Sequence, residues 1–323
     1  MTDSPREFGV DFLRAASILY IVGYWHLIPY TEWLPGYANL YTAALKYVTL
    51  ATFVFCSGYL LARQPLTLTP RSLWSFYGSR LIRIYPLYLL ALILFLIATI
   101  TAWQKLVEGA LLISMFQPPP LPTLWFITMI MLFYLAAPFL ILAGDKPAYL
   151  LTLGAAGFGL LVVVHHWVHR IDPRLLLYWP VFVTAIGYQR QPAMRAWLKQ
   201  RGWMLLLLLP LTLWICRGAN EWSLVGIVRA LPITLIGALV LFIYAPAIVR
   251  PLHTRTIMVL AYSSFGLYLF HRVTFKAAIA LYFPAEGWHQ ALYLLLVVLP
   301  LTILIAYAIQ AGYDRALTQW QKS

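Results

Sequence analysis

The residues best suited to chemistry lie in the first apolar run. Asp11, Arg14 and His26 interrupt MTDSPREFGVDFLRAASILYIVGYWHL. An ionisable group costs at least about 2.5–3.5 kcal/mol at the centre of a membrane helix, so its presence there points to function. Asp11 and Arg14 stand three apart and can pair across one helical turn. His26 follows Arg14 by twelve positions, about 18 Å along a helix. A histidine can take a proton near neutral pH, as a general base must; equally, His26 can be an interfacial residue near the outer headgroups.

Further along, RSLWSFYGSRLIRIYPLYLL (71–90) presents Arg71, Arg80 and Arg83 before Pro86. A guanidinium fork bonds two phosphate oxygens at once, although plain positive-inside anchoring would use the same residues. TFVFCSGYLLA (52–62) carries Ser57 and Gly58, which allow close backbone approach. AYSSFGLYLFHR (261–272) brings Tyr268, His271 and Arg272 into another apolar run. Lys46, Arg229, Arg272 and Lys276 all fall in the outer half of the bilayer, near the depth of His26 and His271. Glu32, Glu221 and Glu286 are the acids able to reach that depth. Ordinary pairing with these acids, or outward snorkelling, is one reading of the four cations. A cationic vestibule for an anionic acceptor, such as a uronic-acid glycan or a lipid-linked sugar phosphate, is the other. His165 and His169 lie at i and i+4 beside His166, a spacing that suits metal. No HExxH motif or nearby cysteine accompanies them, so no metal site is expected.

These residues need a frame, and the composition dictates it. The chain has 323 residues, 62% hydrophobic and only 10% charged, with mean hydropathy +0.79. Soluble domains carry about 25% charged residues, so the bilayer must be the solvent. A folded soluble domain, a disordered chain and a secreted disulfide scaffold are all excluded. The opening run lacks a cleavage site and reads as a mature first span. Apolar runs predict about ten transmembrane helices, with cores at 10–29, 38–62, 79–102, 123–143, 148–168, 175–189, 203–217, 223–247, 256–282 and 290–312. The sixth is short enough to be tilted or re-entrant. The stretch 104–122, ending in PPPLP, is too polar to span and reads as an interfacial loop.

Lys and Arg orient the frame. With both termini cytoplasmic, the inner set includes Arg6, Arg63, Arg71, Arg80, Arg83 and Lys322; the outer set is Lys105, Arg170, Arg174 and Arg217. Fourteen of the 23 basic residues then lie inside, four outside and five within spans. The net charge of +13 is therefore mostly an inner-face charge, and no nucleic-acid partner is expected. His253 falls in an inner loop and His289 in an outer one. Cys56 and Cys216 fall at opposite ends of their spans, too far apart to bond.

Five segments together resemble membrane-bound acyltransferase family 3, the O-acyltransferases of bacterial surface glycans and other exported acceptors. DFLRAA…H is similar to its first-span signature, FVFCSGYLL to its Ser-Gly-Tyr element, and LWFI…FYLAAP to its Trp-Phe…Phe-Tyr-Leu span. YSSFGLYLFH is similar to its Tyr-Leu-x-His element, and AGYDRAL to its terminal aromatic–acid tail, with Asp314 where Glu is commoner. The resemblance spans about residues 6–317 and implies one transmembrane acyltransferase domain over 1–323. It implies a bacterial inner-membrane protein and an acyl-CoA donor on the cytoplasmic side. The acyl group, acetyl being the commonest, goes to a hydroxyl of an outer glycan or lipid-linked acceptor. By this resemblance His26 is the catalytic base, Arg14 is essential, and Asp11 completes the set. Family members usually place ten residues between this Arg and His; here there are eleven. At about 100° per residue an offset of eleven returns to within about 20° of the same face, but twelve lies about 120° away. Either the helix carries a π-bulge, near Gly23, or Arg14 and His26 occupy different faces.

The bottom-up geometry is compatible with that implication. The pantetheine arm of CoA is about as long as the Arg14–His26 rise, so phosphates on Arg80 and Arg83, with Arg71 and Ser57 nearby, would leave the thioester at His26. Ser57, Tyr59 and Tyr268 are candidate donors to the oxyanion. Arg272, His271, Lys46, Arg229, Tyr268 and Glu32 are the candidate acceptor-binding residues. No permanently bound cofactor is expected. A secondary transporter or flippase for a polar or anionic solute is the competing class, suited by prolines inside spans (Pro138, Pro180, Pro210, Pro232). A membrane subunit without chemistry would leave the intramembrane cations unexplained.

Overall fold

With no water to satisfy it, a spanning backbone must bond to itself, and long apolar runs therefore become helices. The computed structural model describes residues 7–168, 171–250, 252 and 254–321. Arg6, His169, Arg170, His253 and Lys322, assigned above to loops and tails, lie outside the described residues. In chain order the helices are α1 (Phe8–Tyr20), α2 (Leu40–Ala62), α3 (Pro70–Ile97), α4 (Trp103–Ala110), α5 (Trp125–Ala143), α6 (Pro147–Val168) and α7 (Arg174–Arg190). Then follow α8 (Pro192–Gln200), α9 (Gly202–Ile215), α10 (Leu224–Val249), α11 (Thr254–Leu281), α12 (Gly287–Tyr293) and α13 (Leu299–Trp320). A π-helical turn, Ile21–Trp25, prolongs α1, and another, Leu294–Val298, joins α12 to α13.

The architecture is all-helical, with no strand among the described residues. Each of the ten apolar stretches carries helix. Among the described residues six helical runs are long and apolar enough to cross a membrane: α2, α3, α5, α6, α10 and the continuous run Gly287–Trp320. α7 has 17 residues and α9 has 14. The stretch 104–122 differs from the loop expected there, because it contains α4. Gln104 and Lys105 both reach Glu108, at 3.2 and 2.7 Å, and Lys105 also donates to the Gln117 carbonyl at 2.7 Å. Those local pairs order a stretch too polar to span.

The chain divides into two compact units. The first comprises Met1–Thr42 and Tyr244–Ser323, and so holds α1 and α11 to α13. A Cβ on Gly266 would stand 3.0 Å from the Ala306 carbonyl oxygen, so α11 and α13 approach backbone to backbone. Ala15, Val249 and Ile257 form a small core that Phe12 and Leu260 cover.

The second unit is Ala43–Ile243. α2 is its centre, with 78% of its apolar window buried, against 11% for α6. The Ser57-Gly58 pair lies where α2 meets α7. A Cβ on Gly58 would come within 2.9 Å of the Phe182 carbonyl oxygen. Phe55, one turn earlier, and Tyr59, the next residue, pack on Phe242 with ring centroids 4.6 and 4.7 Å away. α3 begins at Pro70, and the Thr69 hydroxyl accepts from the Ser72 amide at 3.3 Å as its N-cap. Cys56 and Cys216 are both free and buried.

Candidate functional site

The first helix resolves its register problem at the place the spacing indicated. The His26 amide bonds to the Ile21 carbonyl, five residues back, at 2.8 Å, which is the π pattern. The turn Ile21–Trp25 is centred on Gly23. It absorbs one residue, so an offset of twelve places His26 where a regular helix would place the eleventh residue. Glycine suits this position because a Cβ would stand 3.1 Å from Leu299 Cδ2.

A single face of α11 then receives both side chains. Arg14 Nη2 donates to Ser264 Oγ at 3.0 Å. Ser264 spends its own proton on the Ala261 carbonyl at 2.7 Å, leaving a lone pair for the guanidinium. His26 Nδ1 lies 3.0 Å from His271 Nε2. Ser264 and His271 are seven residues apart, two turns of helix within about 20° of one line. Asp11 lies one turn before Arg14 and is 9% exposed.

The two imidazoles are parallel, with an interplanar angle of 1° and centroids 5.0 Å apart. His271 is fully buried, whereas His26 is half-buried. His271 Nδ1 lies 3.1 Å from the Leu267 carbonyl oxygen and 2.9 Å from that of Tyr268. The Phe275 ring stands edge-on to His271 at 5.8 Å, and Tyr30 stands edge-on to Phe275 at 5.7 Å. The buried Tyr268 ring is 6.2 Å from His271. Aromatic walls keep the surroundings weakly polar, which strengthens each hydrogen bond within them. Arg272 is half-buried and Lys276 exposed on the same helix. Glu32 is exposed, and its amide donates to Gln290 Oε1 at 3.2 Å. At the other end of this unit Asp314 joins α13 to α11: Tyr262 donates to Oδ2 at 2.5 Å, and Gln310 donates to Oδ1 at 3.1 Å.

In the second unit, Arg80 and Arg83 lie three apart on α3. Arg80 donates to the Phe76 carbonyl at 2.9 Å and Ser79 Oγ at 2.8 Å, and closely to Gln64 Oε1. Its guanidinium also lies 4.0 Å from the Phe76 ring centroid. Arg71 and Arg83 are exposed, and Ser57 is half-buried. Lys46 donates to Glu221 Oε2 at 2.7 Å. Arg229 donates to the Arg217 carbonyl at 3.4 Å. Arg174, counted above with the outer cations, begins α7 and is 3% exposed. Its charge is met by Asp172 at 2.6 Å and Glu221 at 3.8 Å, and its guanidinium lies 3.9 and 4.8 Å from the Trp125 and Trp222 rings. His165 Nδ1 lies 3.0 Å from the Ile171 carbonyl oxygen. Among the described residues no cluster of three His, Cys, Asp or Glu suits a metal ion.

The family model for the acyltransferase 3 domain matches residues 7–311. The chain belongs to the acyltransferase 3 family. No curated protein and no solved structure is matched. This acyltransferase thus carries the Arg14 and His26 of its first helix on one helix pair, α1 and α11. Ser264 was missed as a site residue, although its position two turns before His271 on one helical face was readable. The link from the Lys46–Glu221 pair to Arg174 and Asp172 was missed too, because the aromatic cover and depth of Arg174 leave no mark in hydropathy. Apolar helices and the family together make it an integral membrane protein.

Proposed function

We propose that this chain is an O-acyltransferase of about ten spans, with both termini in the cytoplasm of a bacterial inner membrane. It moves an acyl group, acetyl foremost, from acyl-CoA to a hydroxyl of an extracytoplasmic glycan or lipid-linked sugar. The observation that carries the reading is the π-turn, which sets Arg14 and His26 against the same face of α11. His26 takes the proton of the acceptor hydroxyl as its oxygen attacks the thioester carbonyl. The C–S bond breaks as the ester forms, and the thiolate of CoA leaves with the proton that His26 held. Arg80 and Arg83 hold donor phosphates, with Arg83 the exposed member of the pair. Arg14 ties α1 to the reactive face of α11 through Ser264.

Acetyl-CoA turnover by the purified protein tests the reading. General-base catalysis is worth about 10²–10⁴ in rate, so His26→Ala should lose at least about 100-fold while remaining folded and membrane-inserted. Turnover above a few per cent of wild type would remove His26 from the mechanism. Radiolabel retained on the protein after donor alone would replace direct transfer by a covalent intermediate.

A further inference from the structure

The hydrogen bonds around His271 determine which nitrogen of His26 is the base. Backbone carbonyls only accept, so the contacts from His271 Nδ1 to Leu267 and Tyr268 require a proton on that nitrogen. In a neutral imidazole the other nitrogen, Nε2, is then an acceptor. It faces His26 Nδ1 at 3.0 Å, so His26 Nδ1 is the donor. The lone pair of His26 is left on Nε2.

We propose that His271 is a positioning residue for the acyl-transfer reaction: it locks His26 in the Nδ1–H tautomer, so that Nε2 is the atom that takes the acceptor's proton. This rests on the reading of His26 as the base. When Nε2 gains the proton, His26 Nδ1–H still donates to His271, and the cation is stabilised without any change of geometry. The extra proton stays on His26, because His271 is fully buried and His26 is half-buried, and charge is costlier at the more buried site. A carboxylate in the place of His271 would orient His26 equally well but would add a buried charge to the membrane interior. A neutral imidazole does the orienting without that cost.

The test uses the full-length protein in detergent, labelled with 15N-histidine, with acetyl-CoA as the probe. The His26 signal is assigned by its loss in His26→Ala. In wild type, His26 Nδ1 should carry the proton and Nε2 should be unprotonated. His271→Leu removes the acceptor; the His26 tautomer should become mixed or reversed. Turnover should fall about 100-fold, a general base's lower range, with the KM for acetyl-CoA little changed. His271→Gln can still accept from Nδ1–H through Oε1 and should recover at least about tenfold of that loss. A wild-type His26 protonated on Nε2 would overturn the proposal, as would full turnover in His271→Leu or no recovery in His271→Gln. If the leucine variant fails to fold, the wild-type tautomer and the glutamine variant decide the matter. Undiminished turnover in His26→Ala would overturn the base assignment instead, and the 15N spectrum would still report whether His271 sets the tautomer.

Discussion

The π-turn can be tested by changing the length of the first helix by one residue in each direction. Inserting one alanine after Ser17 rotates every later residue by about 100° relative to Arg14. With the imidazole about 6 Å from the helix axis, that rotation moves it by about 9 Å. The His26–His271 separation is 3.0 Å, so Arg14 and His26 can no longer both reach α11. Deleting Gly23 does the opposite: it removes the residue that the π-turn absorbs and restores an offset of eleven. That is where the π-turn already holds His26, so the ring should reach His271 with no more than a small rotation about χ1. Acetyl-CoA turnover should fall at least about 100-fold for the insertion, since even about 1 Å of misplacement can cost that much. The deletion should keep at least about a tenth of wild-type turnover. Both variants must first elute as monodisperse, membrane-extracted protein. Comparable activity in the two, whether both dead or both alive, would refute the idea that the turn exists to keep Arg14 and His26 in register.

Three other outcomes follow from the packing and the charges. Gly58→Ala should destabilise the protein by about 1–3 kcal/mol in thermal unfolding, because the methyl would sit 2.9 Å from a backbone oxygen that cannot step aside. Lys46→Met should cost about 3 kcal/mol in the same measurement by removing the nearer cation of Glu221 and leaving Arg174 at 3.8 Å, and Glu221→Gln should offset part of that loss. Arg83→Gln should raise the KM for acetyl-CoA about 10-fold or more, the loss of one charge-assisted contact of about 1.5–3 kcal/mol, with kcat largely preserved; an effect confined to the acceptor KM would refute its role.

What the sequence made legible was whatever depends on counting along one helix. Set against the family's spacing, the offset between Arg14 and His26 left a choice between a bulge near Gly23 and two faces, and the turn Ile21–Trp25 is the bulge. Pairing across the fold was not legible. His26 and His271 each stood out as ionisable groups in apolar runs, yet 245 positions separate them, and their contact depends on how α1 packs on α11. Lys46 is similar: its depth in α2 was readable, but a partner 175 positions away was one of several acids within reach. Arg174 was counted with the outer cations, and a window that averages hydropathy gives no sign that a cation at a helix start is buried. Its burial is decided by Asp172, two residues earlier, and by the two tryptophan rings. α4 was missed because a polar stretch that cannot span can still fold into a short helix.

Ionic strength can sort the cations of this protein by their surroundings. Lys46 and Arg174 are met by Glu221 and Asp172, two positive charges and two negative, and both cations are under 10% exposed. Mobile ions screen exposed charges over about 8–10 Å at physiological salt but act weakly on buried pairs. Arg71 and Arg83 have no such shelter. A salt titration of activity therefore leaves the quartet silent and reports on the exposed arginines. Heat reverses the contrast, because a buried quartet holds until its surroundings open and then fails as a unit.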